Sequence, residues 1–221
     1  MRLDRHTLGL YFEAAAAVAA NPDDINRSRM YRVLTAGNTI YEEWVGDKGR
    51  LRSVVLIARN ARLRSPALYI MNRSQRRIFY VDEANLLRCV KFRPDNQSWE
   101  DVPLQYRESL SISKSSHLSG VIQKNGHQLV FFESDQCHLS VIRIRDGDTG
   151  EWDALPAPPV DLMPGGFHQV LLSDPGGGNI KDLHFFYVHK DGTIHRSRLL
   201  DHDFQAGSWQ GKRKQAPRYI V

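Results

Sequence analysis

Cysteine is almost missing from this chain: Cys89 and Cys137 are the only two. Two are too few for a disulfide framework or a thiolate metal site. Each lies in or beside a strand-like run, so both are expected to be buried free thiols. Long apolar runs are missing as well. The nearest approach, residues 8–20, is interrupted by Glu13, so no signal-peptide core forms. No run reaches the ~18–20 residues of a membrane span. The expectation is a cytoplasmic chain without a membrane partner, in which the sequons at Asn26, Asn72 and Asn96 are chance matches. Charge of one sign is sparse too. The net charge of +5 is spread through the chain, and the one compact cluster, Lys212-Arg213-Lys214, reads as a solvated tail with no nucleic-acid partner. The glycine-rich loop at 175–179 lacks the Lys-Ser/Thr of a phosphate loop, and no HExxH or paired CxxC occurs. No cofactor and no metal are therefore expected. Helix-forming stretches are rare, and only 12–20, rich in alanine, has high helix propensity.

What is present is a repeat. The stretch RRIFYVDEANLLRCVKFRPDNQSW at 76–99 contains two strand-like runs, 77–81 and 86–92, around a turn-prone Asp-Glu-Ala-Asn. Aromatic and β-branched residues bounded by polar turns are a hairpin signature. The pattern recurs at 127–152 and 183–209, with Phe79, Phe131 and Phe186 in register and Trp99, Trp152 and Trp209 closing each unit. A period near 50 with several strands per unit points to propeller blades. An earlier hairpin, 31–34 and 39–45, resembles these units but has a shorter turn and no matching Trp. The run 51–58 follows it and reads as a buried strand. The fold expected is all-β, a β-propeller of about four antiparallel blades over 1–221 as one domain. The blades fall near 30–58, 67–104, 117–157 and 166–213, and the first is irregular. Residues 1–29 are a lead-in or a first strand. The segments 102–116 and 155–164 are read as irregular links.

The strand beginning with Arg, its aromatic residues, the turn, an Ile-x-Glu and a Trp some dozen residues later resemble the fungal fucose-specific lectins. That resemblance covers roughly residues 30–215. It implies a propeller with sugar pockets between adjacent blades, where an Arg and a Glu hydrogen-bond the sugar hydroxyls and aromatic rings stack on its apolar face. At the Arg position stand Arg77, Leu129 and His184. At the Glu position stand Cys89, Val141 and Arg196. Only the first unit keeps a Glu, Glu42 after Ile40, with Arg32 in the Arg role. The Trp position is kept as Trp99, Trp152 and Trp209. The ligand-binding candidates are therefore Arg32, Glu42, Arg77, Tyr80 and the three Trp residues, and blade packing competes for the Trp residues.

Three readings of function follow. A lectin-like module would bind a saccharide or another small polar ligand. Alternatively, the loss of polar sugar contacts beside retained aromatics would suit an enzyme of fungal secondary metabolism, acting on an apolar metabolite by cyclisation, a pericyclic step or isomerisation. His184 would then be its catalytic acid or base, because an imidazole exchanges protons near neutral pH. A protein-interaction scaffold is the third. An imperfect first blade would be covered by terminal residues or by a second copy in a homodimer.

Overall fold

The computed structural model describes residues 15–20, 30–46, 50–71, 75–104, 110–123, 125–145, 150–173 and 182–200. Every regular element among them is a strand. The chain divides into two compact units, 1–110 and 111–221. Each unit is built from two antiparallel meanders of the propeller-blade kind.

In the first unit, sheet 1 runs β1 (Ala15–Ala20), β2 (Met30–Ala36), β3 (Thr39–Val45) and β4 (Leu51–Ala58), each paired with the next. Sheet 2 runs β5 (Ala67–Met71), β6 (Arg76–Val81), β7 (Leu87–Arg93) and β8 (Ser98–Val102). The innermost strands β1 and β5 run beside one another. In the second unit, sheet 3 runs β9 (Leu118–Ile122), β10 (Gln128–Glu133), β11 (Leu139–Ile144) and β12 (Trp152–Leu155). The described residues give sheet 4 three strands, β13 (His168–Ser173), β14 (Asp182–Val188) and β15 (Ile194–Leu200), with β13 beside β9.

The same backbone ties recur in three sheets. The turn after β6 closes by Asn85 N–H to Asp82 C=O (2.9 Å), that after β10 by Cys137 to Ser134 (2.9 Å), and that after β14 by Gly192 to His189 (2.8 Å). Asn85, Cys137 and Gly192 all adopt positive φ, at 63°, 58° and 81°, which the reversal requires. The segments read as irregular links are equally regular. Ala61, Ile112 and Leu162 bridge to Asp82, Ser134 and His189. Arg62, Ser113 and Met163 donate their amides to Val81, Glu133 and Val188. Ser65 and Ser116 complete the lock, each accepting from the same strand end at 2.8 Å. In the third copy Gly166 stands in that place, and Val188 N–H turns to the Phe167 carbonyl instead.

Several expectations are resolved here. The alanine-rich stretch, in spite of its helix propensity, supplies a strand, Ala15–Ala20, which pairs with β2 and opens sheet 1, as the first-strand reading of residues 1–29 expects. The first sheet is irregular as expected, with register shifts at Ala15/Ala17, Ile40/Tyr41 and Trp44/Val45. The apolar run Leu51–Ala58 is a strand but not a buried one, since Leu51, Val54, Val55 and Leu56 are all exposed. It pairs with β3 as the last strand in the order of sheet 1, and apolarity alone does not reveal that outer position. Cys89 is buried as expected, whereas Cys137 sits exposed at the left-handed turn position. Trp209 and the cluster Lys212-Arg213-Lys214 lie outside the described residues.

Candidate functional site

Strand alternation decides which side chains meet. Residues directly opposite across an antiparallel ladder share a face, and neighbours along a strand point to opposite faces. Arg32 lies opposite Glu43, whereas Glu42 lies opposite Val33. Arg32 and Glu42 therefore occupy different faces of sheet 1. Glu42 shares its face with Tyr31, Val33 and Ile40, and the core between sheets 1 and 2 forms on that side, from Val33, Ile40, Tyr69, Ile78, Tyr80 and Val90. In sheet 2 the pairing sets Phe92 opposite Trp99. Arg76, Ile78 and Tyr80 alternate with Arg77, Phe79 and Val81 on β6, and Ile78 lies opposite Tyr69 and Val90. Arg76, Tyr69, Phe92 and Trp99 are thus brought to the seam that Glu42 faces.

The result is a compact polar set inside an aromatic frame. Glu42 Oε1 accepts from Arg76 Nη2 at 2.6 Å and from the Tyr69 hydroxyl, while Arg76 Nε donates to the Tyr69 oxygen at 3.0 Å. The Arg76 guanidinium lies 4.4 Å from the Tyr31 ring centroid, 4.0 Å from that of Phe92 and 5.4 Å from that of Trp99. Tyr69 meets Tyr31 and Trp99 edge-on, with centroids 6.0 and 6.1 Å away. Burial opposes the charge on Arg76, but Tyr69 and Glu42 outweigh it and hold its pKa above the ordinary value. Burial first, then the Glu42 charge, drives the Tyr69 phenol far above its usual pKa, so it remains a donor. The carboxylate side chain is 5% exposed and the guanidinium side chain 20%. Tyr31, Phe92 and Trp99 are half-buried. One edge of the set therefore reaches solvent. The Trp99 Nε1 donor is buried with no hydrogen-bond partner among the described residues.

Of the residues expected from the sequence, Glu42 and Trp99 lie in this set. Arg32 does not: it forms a buried ion pair with Glu43 at 2.8 Å on the other face. Arg77 is fully buried and lies beside Cys89, whose thiol burial pushes up to about 12 against the pull of that guanidinium. Tyr80 is buried too, donating to Asn60 Oδ1 at 2.9 Å, with its phenol raised to about 12, chiefly by burial. Trp152 is half-buried on β12 opposite Ile144. His184 stands on β14 opposite Leu171 and Arg198, its ring 6.4 Å from that of Phe186. Nothing in this geometry supports the catalytic alternative.

Sequence reading missed Arg76, Tyr69, Tyr31 and Phe92. The signal for Arg76 was its place two residues before Ile78, which puts it on the face opposite to that of Arg77.

Among the described residues, the equivalent seam in the second unit has no such set. Leu129, Phe131, Val141, Val170, Leu183, Phe185 and Tyr187 form one buried cluster, with Phe185 stacked on Phe131 at 5.4 Å and on Tyr187 at 5.6 Å. Its polar members are set apart. The Ser119 hydroxyl and His168 Nδ1 lie 2.6 Å apart and buried, and burial pulls the His168 pKa down to about 4. Glu133 accepts from the Gly165 amide at 2.9 Å, and its pKa is raised, burial outweighing that hydrogen bond. Among the described residues, one group of side chains has the makeup of a metal site: His189, Asp191 and His195, at the turn after β14.

No family model matches the sequence, and no curated protein does. Solved structures do match. AofleA of Arthrobotrys oligospora is 13% identical, with a TM-score of 0.68 over 91% of this chain and 57% of that one. The BP39L lectin of Burkholderia pseudomallei is 20% identical, with a TM-score of 0.65 over 91% of this chain and 56% of that one. The Aleuria aurantia lectin, a six-bladed β-propeller with a fucose recognition mode, is 15% identical, with a TM-score of 0.59 over 84% of this chain and 55% of that one. This chain therefore has the fold of the β-propeller lectins and spans somewhat more than half the length of these relatives.

Proposed function

We propose that this protein is a saccharide-binding lectin whose site is the seam between sheets 1 and 2. The observation that carries the reading is the Glu42–Arg76–Tyr69 set in its frame of Tyr31, Phe92 and Trp99. A buried ion pair gives little or no net stability compared with well-packed apolar residues of similar volume. Its presence in one seam, where the equivalent positions of the other are aliphatic, favours a role other than packing. A carboxylate and a guanidinium supply an acceptor and planar bidentate donors for vicinal hydroxyls. Half-buried rings supply a surface for the apolar face of a sugar. One of the structural relatives is described in complex with alpha methyl fucoside, so fucosides are the first ligands to try.

The test is titration of methyl α-L-fucoside and a glycan array against the wild type, Glu42→Gln, Arg76→Ala and His184→Ala. A charged hydrogen bond to a ligand contributes roughly 1.5–3 kcal/mol, so the first two variants should bind about ten- to a hundredfold more weakly. His184→Ala should bind normally. Wild-type protein that binds no glycan at millimolar concentration would overturn the reading.

A further inference from the structure

We propose that His189, Asp191 and His195 form a binding site for a divalent transition-metal ion of the zinc or copper type, with two imidazoles and one carboxylate as ligands. The three sit on one hairpin. His189 opens the turn after β14, Gly192 at φ 81° reverses the chain, and His195 returns on β15 opposite Tyr187. Their donor atoms all lie within 4.8 Å of one another. His189 Nδ1 is 3.0 Å from Asp191 Oδ1. Four ligands at about 2.0–2.1 Å from a tetrahedral zinc stand roughly 3.4 Å apart. The rings of His189 and His195 stack, with centroids 4.4 Å apart and planes 9° apart, so one ring must turn about its Cβ–Cγ bond to bring both in-plane lone pairs onto one ion.

The turn itself does not require these histidines. The equivalent turns begin at Asp82 and Ser134 and close through the same backbone bonds. After Asp82, the carboxylate caps its own turn by accepting from the Ala84 and Leu86 amides, and it also holds Arg88. Arg88 and Ser140 occupy the place of His195 in those hairpins, and Ala84 and Gln136 that of Asp191. In the third turn the capping work passes to Asp191, whose Oδ1 accepts from the Thr193 amide at 2.9 Å and hydroxyl at 2.6 Å. The two imidazoles beside it also bond within the turn, His189 Nδ1 accepting from the Asp191 amide at 3.3 Å and His195 Nε2 lying 2.9 Å from the Thr193 hydroxyl, contacts that a bound ion would replace.

The surroundings suit a metal of the borderline class. Asp161 Oδ2 lies 3.9 Å from His189 Nε2, positioned to take the second-shell role that fixes the tautomer of a ligating imidazole. Lys190, which pairs with Asp161 at 3.3 Å, opposes a cation. Nitrogen donors favour zinc, copper and nickel over magnesium and calcium. Three protein ligands leave at least one position for water or an exogenous ligand.

The experiment is calorimetric titration of the full chain with ZnCl2 and with CaCl2, on the wild type, His189→Ala, His195→Ala, Asp191→Asn, the double variant His189→Ala/His195→Ala, and Glu42→Gln. The wild type and Glu42→Gln should bind one zinc and no calcium. Removing a ligand should weaken binding by at least the ten- to hundredfold typical of second-shell loss, and the double variant should lose the site. Circular dichroism of each variant checks that the hairpin still folds. Zinc binding that persists unchanged in the folded double variant, or wild type that binds calcium as well as zinc, would overturn the proposal. The site lies in the second unit, so its failure leaves the saccharide reading of the first unit intact.

Discussion

The two units carry the same pair of sheets and opposite chemistry at the seam. Counting back from the turns and along the ladders, Tyr31, Glu42, Tyr69 and Arg76 of the first unit correspond to Leu129, Val141, Val170 and Leu183 of the second. Each of these four positions holds an aliphatic residue in the second unit. Beside the buried Ser119–His168 contact, the second seam is filled by four aliphatic side chains and a run of stacked rings. The first seam keeps two opposite charges from which most water is excluded. The fold tolerates both, so architecture alone does not fix the choice between them.

The comparison is broken most severely by removing one charge from the first seam. Glu42→Val leaves Arg76 without its carboxylate and should cost about 3–5 kcal/mol in urea unfolding, the range for an uncompensated buried charge. Installing the whole aliphatic set, Glu42→Val with Tyr69→Val and Arg76→Leu, should recover that loss while abolishing saccharide binding. A triple variant no more stable than the single one would show that the seams are not interchangeable.

His168 sharpens the comparison from the other side, since the first unit has Ala67 in its place. Its folded pKa is depressed from 6.5 to about 4, so between those values the unfolded chain binds the extra proton. The contribution of His168 is therefore fully present above about pH 6.5 and is lost as pH falls toward 4. At about 1.36 kcal/mol per unit, that loss is on the order of 3 kcal/mol. Urea midpoints at pH 7 and pH 4 should differ less in His168→Gln than in the wild type. An equal pH dependence in the two proteins would remove His168 as the acid-sensitive element of the second unit.

Smaller effects belong to the frame and the turns. Trp99→Leu removes one ring from beside Arg76 and should weaken saccharide binding by about 1 kcal/mol, the size of a partly exposed cation–π contact. Cys137→Gly relieves a left-handed residue and should stabilise the chain by roughly 1 kcal/mol. In the wild type a thiol reagent should modify Cys137 at once and Cys89 only on unfolding.

Much of the fold could be read from the sequence because the turns after β6, β10 and β14 repeat at near-constant spacing and the strands between them are short and apolar. The site was harder to read. Assigning a side chain to a seam requires the parity of its strand, and parity depends on turn length. The first hairpin is one residue shorter than the others, with Val33 nine residues before Glu42 where Phe131 is ten before Val141. That single residue is why Arg32 looks like the partner of Glu42 and is instead the partner of Glu43. It also leaves Tyr31 at the place Arg77 holds in sheet 2, while the guanidinium of the seam comes from Arg76 on the neighbouring sheet. The loops around 61–66, 112–116 and 162–166 escaped notice because their order is written in backbone bonds and not in residue type.

Those loop and turn bonds bear on how such a chain can change over generations. Amide-to-carbonyl links at Asp82, Ser134 and His189, and again at Arg62, Ser113 and Met163, hold each blade in shape whatever side chains its faces carry. A duplicated blade inherits the clasp entire, and its seam is then open to rewriting one ladder position at a time. Val81, Glu133 and Val188 occupy one such position, two valines and a glutamate, under the same pair of backbone ties. A lineage built this way can lose a ligand from one seam, or recruit one to another, without unfolding on the way.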